Sequence, residues 1–316
     1  MSFKKITVAG GGVLGSQIAF QTAFKGFDVT IWARSEASRE RTQEKLDNLY
    51  KTYLEEVAAL EPIIGTDAKH SEGILKDLKN ATKDDIRVLR ANVEKAKASL
   101  KIETDLAKAV KDADFVIESV AENKDQKIEF YKMLAPLLDE KTILATNSSS
   151  MIPSMFADYT GRPEKYLALH FANRIWKKNP AEIMVQAKTD PKYPEEVREF
   201  ALAIGMVPIM VRKEVPGYVM NSLLIPFLMA AMGLLANGVS DAATIDTDWK
   251  LTMNAPIGPF EELDYIGVAT AYNVVKNNPA SKDADSTMGK ILAMLQKMMD
   301  EGRTGIAAGE GFYKYN

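Results

Sequence analysis

A chain of 316 residues is long enough for two domains with separate cores, and its 46% hydrophobic and 26% charged residues are those of an ordinary globular protein. A net charge of −3 argues against a nucleic-acid partner, and the absence of cysteine excludes disulfides, thiolate metal sites and a cysteine nucleophile. The opening MSFKKITVAG runs straight into a strand-like segment with no basic region, apolar signal core or cleavage site, so a cytoplasmic location is expected.

The first predicted element is a short apolar strand, Ile6, Val8 and Ala9. Gly10, Gly12 and Gly15 follow on a G-x-G-x-x-G spacing and lead into an amphipathic helix. The first glycine permits the tight turn, the second lets backbone approach a pyrophosphate, and the third lets the helix pack closely on the strand. The loop, with Val13 and Leu14 at the helix start, therefore reads as a dinucleotide site with phosphates over the helix N-terminus.

A second strand, FDVTIW, ends without the Asp or Glu that would accept hydrogen bonds from the adenosine ribose. Ala33, Arg34 and Ser35 stand there instead. With no carboxylate to repel a ribose 2′-phosphate, and a guanidinium and a hydroxyl to bind one, NADP is expected to be preferred and NAD is the alternative. Asp28 comes too early to serve as the missing acid.

Residues 36–100 depart from a minimal nucleotide fold. Leu46, Leu49, Tyr50, Tyr53, Leu54 and Val57 are spaced by threes and fours, as are Ile86, Leu89, Val93, Ala96 and Leu100. An inserted helical hairpin is expected, its loop near Glu61 to Gly73, with His70 solvated. Apolar strands then return in DADFVIESV and KTILATNSS, and strand alternating with helix indicates a Rossmann-type, doubly wound parallel sheet.

Carboxyl ends of such strands carry the chemistry. Thr146, Asn147, Ser148, Ser149 and Ser150 follow the strand that Leu144 and Ala145 close, the serines as helix caps or as site groups. The next strand, YLALHFAN, closes at His170, and Glu182 in PAEIMV belongs to another strand-like segment. Neighbouring strands could bring imidazole and carboxylate together, and the carboxylate would fix the tautomer and stabilise an imidazolium. A reversible proton donor to a ketone needs that arrangement. Arg174, Lys177 and Lys178 add positive charge beside this strand, for a substrate anion or as a solvated loop.

Val215-Pro216-Gly217 marks a hinge, giving domains at 1–213 and 214–316. The second reads as helices throughout. Its longest apolar stretch, Val219 to Ala236, contains Asn221, Ser222 and Pro226, and a buried helix is expected there instead of a membrane span. Met229, Met232, Met294, Met298 and Met299 read as core filler.

The segments ATNSSSM, LHFAN with PAEIM, EVPGYVMNSLL, APIGPFEELDYIGV and GEGFYKYN, in this order, resemble the L-3-hydroxyacyl-CoA dehydrogenase family, which includes 3-hydroxybutyryl-CoA dehydrogenases. The likeness runs the length of the chain and is strongest to the diketoreductase-like branch. It implies an oxidoreductase of fatty acid metabolism type that interconverts 3-hydroxyacyl-CoA and 3-ketoacyl-CoA, most often as a homodimer. By the same resemblance His170 is the acid/base, Glu182 its orienting partner, and Ser149 and Asn221 hold the reacting oxygen. Glu122 and Lys127 lie near the nicotinamide, and Asn147 and Asn173 are further polar positions.

Departures from the pattern bear on substrate. Arg174 replaces a usual proline, Ser222 replaces a usual arginine, and the hairpin is longer than usual and lacks the expected lysines around Tyr53, Leu54, Glu55 and Glu56. Reductases of non-CoA β-keto or diketo esters, and sugar-acid or carnitine dehydrogenases, are therefore alternative readings. A non-catalytic, crystallin-like dinucleotide-binding protein is another.

Overall fold

The computed structural model describes residues 3–315, which fall into two compact units dividing between Val219 and Met220. In the first unit the elements run β1 (Lys5–Ala9), α1 (Val13–Phe24), β2 (Asp28–Trp32), α2 (Glu36–Leu60), α3 (Lys83–Ser99), β3 (Lys101–Glu103), α4 (Leu106–Val110), β4 (Phe115–Glu118), α5 (Lys124–Leu134), β5 (Ile143–Thr146), β6 (Tyr166–Phe171), β7 (Pro180–Met184), α6 (Lys192–Ala203) and β8 (Val207–Val211).

The strands form one sheet in the order β3-β2-β1-β4-β5-β6-β7-β8. Between β1 and β4 the order reverses, a topological switch point outside whose carboxyl strand ends a ligand usually binds. The inner strands are apolar on both faces because both are covered. Phe115 and Ile117 of β4 belong to one core cluster and Val116 to the other.

The alternation of strands and helices predicts a parallel sheet, and the sheet is parallel except at one pair. β7 runs antiparallel to β6, and β8 follows β7. The β6–β7 connection is a loop without a crossover helix, which can only return the chain in the opposite direction.

The inserted hairpin is present, but its loop extends to Thr82, where a Thr82–Asp85 capping box starts α3. The hairpin is bound to the nucleotide fold by buried polar contacts. Tyr53 Oη donates to Gln21 Oε1 at 2.5 Å, and Gln21 Nε2 donates to the carbonyls of Gly73 (2.8 Å) and Ile204 (2.6 Å). His70 is not simply solvated, since its ring nitrogens lie 3.0 Å from the Ala68 carbonyl and 2.8 Å from that of Leu75. Lys177 pairs with Glu56 at 2.6 Å, so it ties the β6–β7 loop to the hairpin instead of facing a substrate.

The second unit continues α7 (Tyr218–Ala236), whose first two residues belong to the first unit, and adds α8 (Ala242–Met253), α9 (Pro259–Ile266), α10 (Val268–Lys276) and α11 (Thr287–Asp300). Its core contains Leu228, Phe260, Leu263, Val275, Ile291 and Leu295. Met232 and Met298 are in that core, and Met229, Met294 and Met299 pack against it, as core filler should.

Two buried carboxylates organise the segments around it. Asp246 accepts from the N–H groups of Phe260 and Glu261 and from Tyr313 Oη. Asp264 accepts from the N–H groups of Phe312 and Tyr313 and from Tyr315 Oη. The motifs APIGPFEELDYIGV and GEGFYKYN thus latch the C-terminal segment onto α9.

α7 departs from expectation. Mean hydropathy over its apolar window is 2.0, enough in length and composition to cross a membrane, yet only 17% of that window is buried. Leu223 is 69% exposed. Leu228, Ala231 and Met232 of α7 are buried in the second unit's core, while Leu234 and Ile225 are exposed with Leu223.

Candidate active site

The glycine loop joins the carboxyl end of β1 to α1, beside the switch point. Gly10 has φ +120°, and a Cβ there would collide with the Ser119 carbonyl at the end of β4; a Cβ on Gly15 would strike the Gly10 carbonyl. A Cβ on Gly12 would meet nothing within 4 Å, so this glycine borders open space. Gly12 caps α1 without a side-chain hydrogen bond. Free N–H groups, open space and the positive helix end together fit a dinucleotide pyrophosphate. Val13 is exposed beside the loop and Leu14 is half-buried.

At the tip of β2, Ala33 is buried and its N–H donates to the Glu103 carbonyl, whereas Arg34 and Ser35 are exposed. Ser35 caps α2, with its Oγ accepting from the Ser38 N–H at 3.2 Å. Asp28 begins β2 at the opposite end and pairs with Lys101, away from the carboxyl strand ends.

His170 and Glu182 are register partners on β6 and β7. Residues directly opposite in an antiparallel pair project to the same face, so the strand pairing itself delivers the contact. His170 Nδ1 lies 3.0 Å from Glu182 Oε2, and both side chains are almost fully buried. The other ring nitrogen, Nε2, lies 3.1 Å from Ser149 Oγ. A carboxylate on Nδ1 selects the tautomer protonated there, which leaves Nε2 to accept from the serine. An imidazole held in this way can pass a proton at Nε2.

Glu122 holds the serine loop. Its Oε1 accepts from Ser148 Oγ (2.6 Å), Ser149 N–H (3.0 Å), Ser150 N–H (2.9 Å) and Ser150 Oγ (2.9 Å). Partial burial works to raise the Glu122 pKa, but the hydrogen bonds from Ser148 and Ser150 and the Lys127 charge outweigh it and leave the carboxyl below its ordinary value.

Lys127 is buried, unlike a residue that contacts cofactor. Its Nζ is 2.6 Å from Glu118 Oε1 and 3.5 Å from Glu122 Oε2. Glu118 also accepts from Val120 N–H, Tyr131 Oη and Thr146 Oγ1, so an ion pair with a full hydrogen-bond shell lies at the carboxyl end of β4. Asn147 supports β6 from the next strand, its Oδ1 accepting the Phe171 N–H at 3.1 Å. Asn173 is exposed just past β6. Asn221 belongs to the second unit, near the start of α7.

Sequence reasoning did not anticipate Glu118 or Tyr218. Glu118 is the acid closing the apolar strand FVIE, a signal available in the sequence. The Tyr218 ring stacks on His170 with centroids 4.5 Å apart and planes at 15°.

Fold and site define a dinucleotide-binding α/β protein with a buried histidine–carboxylate pair at the strand ends. The model of the 3-hydroxyacyl-CoA dehydrogenase NAD-binding domain matches residues 5–215, and that of the family's C-terminal domain matches residues 217–315. The chain belongs to the 3-hydroxyacyl-CoA dehydrogenase family, oxidoreductases that act on a CH–OH group with NAD.

Among its relatives, human mitochondrial hydroxyacyl-coenzyme A dehydrogenase is 31% identical over 99% of this chain and 91% of its own. The 3-hydroxybutyryl-CoA dehydrogenase of Clostridioides difficile is 30% identical over 99% of both. A solved structure of a diketoreductase, described as catalysing reactions of dicarbonyl compounds, is 41% identical with a TM-score of 0.85 over all of both chains.

Proposed function

We propose that this protein interconverts a 3-hydroxyacyl compound and its 3-keto form, with His170 as acid/base, and that NADP is its preferred cofactor. The observation that carries the reading is the His170 ring, with Glu182 on Nδ1 and Ser149 on Nε2, at the carboxyl edge of the sheet. A bound nicotinamide would supply or remove the hydride at the 3-carbon.

In the reducing direction His170 delivers its Nε2 proton to the carbonyl oxygen as negative charge develops there. Ser149 Oγ–H donates to the same oxygen, and Asn221 is the second group assigned to hold it. Glu182 keeps the ring in orientation and balances its positive charge when it is doubly protonated. In the oxidising direction the same nitrogen takes the hydroxyl proton. NADP is favoured by exposed Arg34 and Ser35 at the tip of β2, where no carboxylate stands to repel a 2′-phosphate. Glu122 borders the nicotinamide end, with Lys127 supporting it from below.

The substrate is proposed to be a CoA thioester such as 3-hydroxybutyryl-CoA, as in the family's named members. A second reading, a reductase of free β-keto or diketo esters, is favoured by the diketoreductase likeness and by the hairpin. Tyr53 is turned inward to Gln21, and Glu56 is engaged by Lys177 and Ser71, which leaves neither to meet CoA.

A homodimer is part of the proposal. Leu223, Leu251 (80% exposed) and Met253 (57%) leave apolar surface on the helical unit that a second copy would cover. Cytoplasmic location remains part of the same reading.

Initial rates with acetoacetyl-CoA and with an acetoacetate ester, each with NADPH and NADH, test the scheme. Preference for the thioester supports the first reading, and equal or better turnover of the ester supports the second. Cofactor binding without turnover of either substrate would point to a non-catalytic protein.

A further inference from the structure

Tyr218 has a backbone conformation that its residue type avoids. It follows Gly217 (φ +83°) and itself has φ +56°, a left-handed geometry that a bulky L-residue holds only where its surroundings over-determine it. The surroundings here are the acid/base assembly. Its ring lies nearly parallel to the His170 imidazole at 4.5 Å. Its hydroxyl donates to the Ser148 carbonyl at 2.8 Å, next to Ser149. The following N–H, of Val219, donates to Glu182 Oε1 at 2.8 Å.

We infer that Tyr218 is a positioning residue for the acid/base set, holding the His170 ring plane by stacking and the serine loop through its hydroxyl. The inference rests on His170 acting as proposed above. Contacts at Nδ1 and Nε2 fix two points on the imidazole and leave the ring free to turn about the line through them; a second ring against its face removes that turn. The same face offers π-electron density to the imidazolium that forms when His170 is doubly protonated. Burial first, then the charges of Glu122 and Glu182, keep the phenol protonated and therefore a donor. A ring that only filled space would not require the left-handed backbone. Ala168, Met184 and Val211 form the apolar cluster that holds the ring from the sheet side.

The test compares the full-length wild type with Tyr218→Leu, which keeps apolar bulk without the ring, and Tyr218→Phe, which keeps the ring without the hydroxyl. Reduction of acetoacetyl-CoA gives kcat and KM, fluorescence titration gives dinucleotide affinity, and proton–carbon NMR reads the two histidines, with His70 as internal reference. For Tyr218→Leu, kcat should fall roughly fivefold to thirtyfold at unchanged dinucleotide affinity, and the His170 ring signals should lose an upfield ring-current shift. Tyr218→Phe should keep the shifted signals and recover most of kcat.

Wild-type kcat in Tyr218→Leu overturns the inference. So does a loss shared equally by kcat, dinucleotide affinity and folded fraction in both variants, or His170 signals that do not move. A wild type that turns over neither the thioester nor the ester sinks the reading of the site itself, and the role of Tyr218 with it.

Discussion

Glu182→Gln keeps the size of the side chain while removing its charge and one acceptor oxygen. Oε2 faces His170 Nδ1 at 3.0 Å and Oε1 receives the Val219 N–H at 2.8 Å, so at least two donors converge on this carboxylate. Glutamine has one carbonyl oxygen, and its NH2 must then face the other donor. Replacing a charge-assisted hydrogen bond with a neutral one removes about 1–2 kcal/mol. A buried donor left facing NH2 costs about 1–3 kcal/mol more.

If both losses fall on the transition state, where His170 exchanges its proton, they total about 2–5 kcal/mol. That lowers kcat by roughly thirtyfold to several thousandfold. Steady-state oxidation of NADPH with acetoacetyl-CoA measures it. Dinucleotide affinity should stay within about twofold, because β7 is separated from the glycine loop by β4, β5 and β6. A variant with kcat within about twofold of wild type would refute the assignment of Glu182 and the geometry behind it.

Three further outcomes follow from other parts of the structure. Arg34→Ala should lower the ratio of NADPH to NADH efficiency by about tenfold to a hundredfold through loss of a charge-assisted phosphate contact, and an unchanged ratio would exclude a 2′-phosphate site at β2. Lys127→Met should destabilise the first unit by about 3 kcal/mol in urea denaturation by leaving Glu118 buried without its cation. Adding Glu118→Gln should restore part of that loss, and no difference between the single and double variants would mean the pair is not coupled.

Lys25 carries the pH prediction. Burial lowers its amine to about 8 from 10.5, so folding carries the full penalty of a buried cation below pH 8 and sheds it by 10.5. Wild-type stability should therefore rise across that window by at most about 3 kcal/mol relative to Lys25→Met, and a constant difference between the two would contradict the shift.

The cofactor loop was legible because its requirement is local. Gly10, Gly12 and Gly15 serve one turn, and the structure returns the close approaches and the open space that their spacing implies. The strand pair bearing His170 and Glu182 was legible as well, since β6 and β7 are consecutive and joined by a short loop. What side chains do beneath the surface was less so. Lys127 looks like a rim residue until α5 is packed on the sheet, which turns it inward to Glu118 and leaves Glu122 to gather the serine loop.

The sequence by itself therefore determined the fold family, the dinucleotide loop and which residue types meet at the strand ends, because each depends on spacing within an element or between neighbouring elements. Only the tertiary structure decided that Lys177 pairs with Glu56 of the hairpin, that Tyr218 lies against His170, and that α7 keeps an open apolar face. Those outcomes depend on contacts between residues distant in the chain, and hydrophobic periodicity marks which face of a helix is apolar without identifying what covers it.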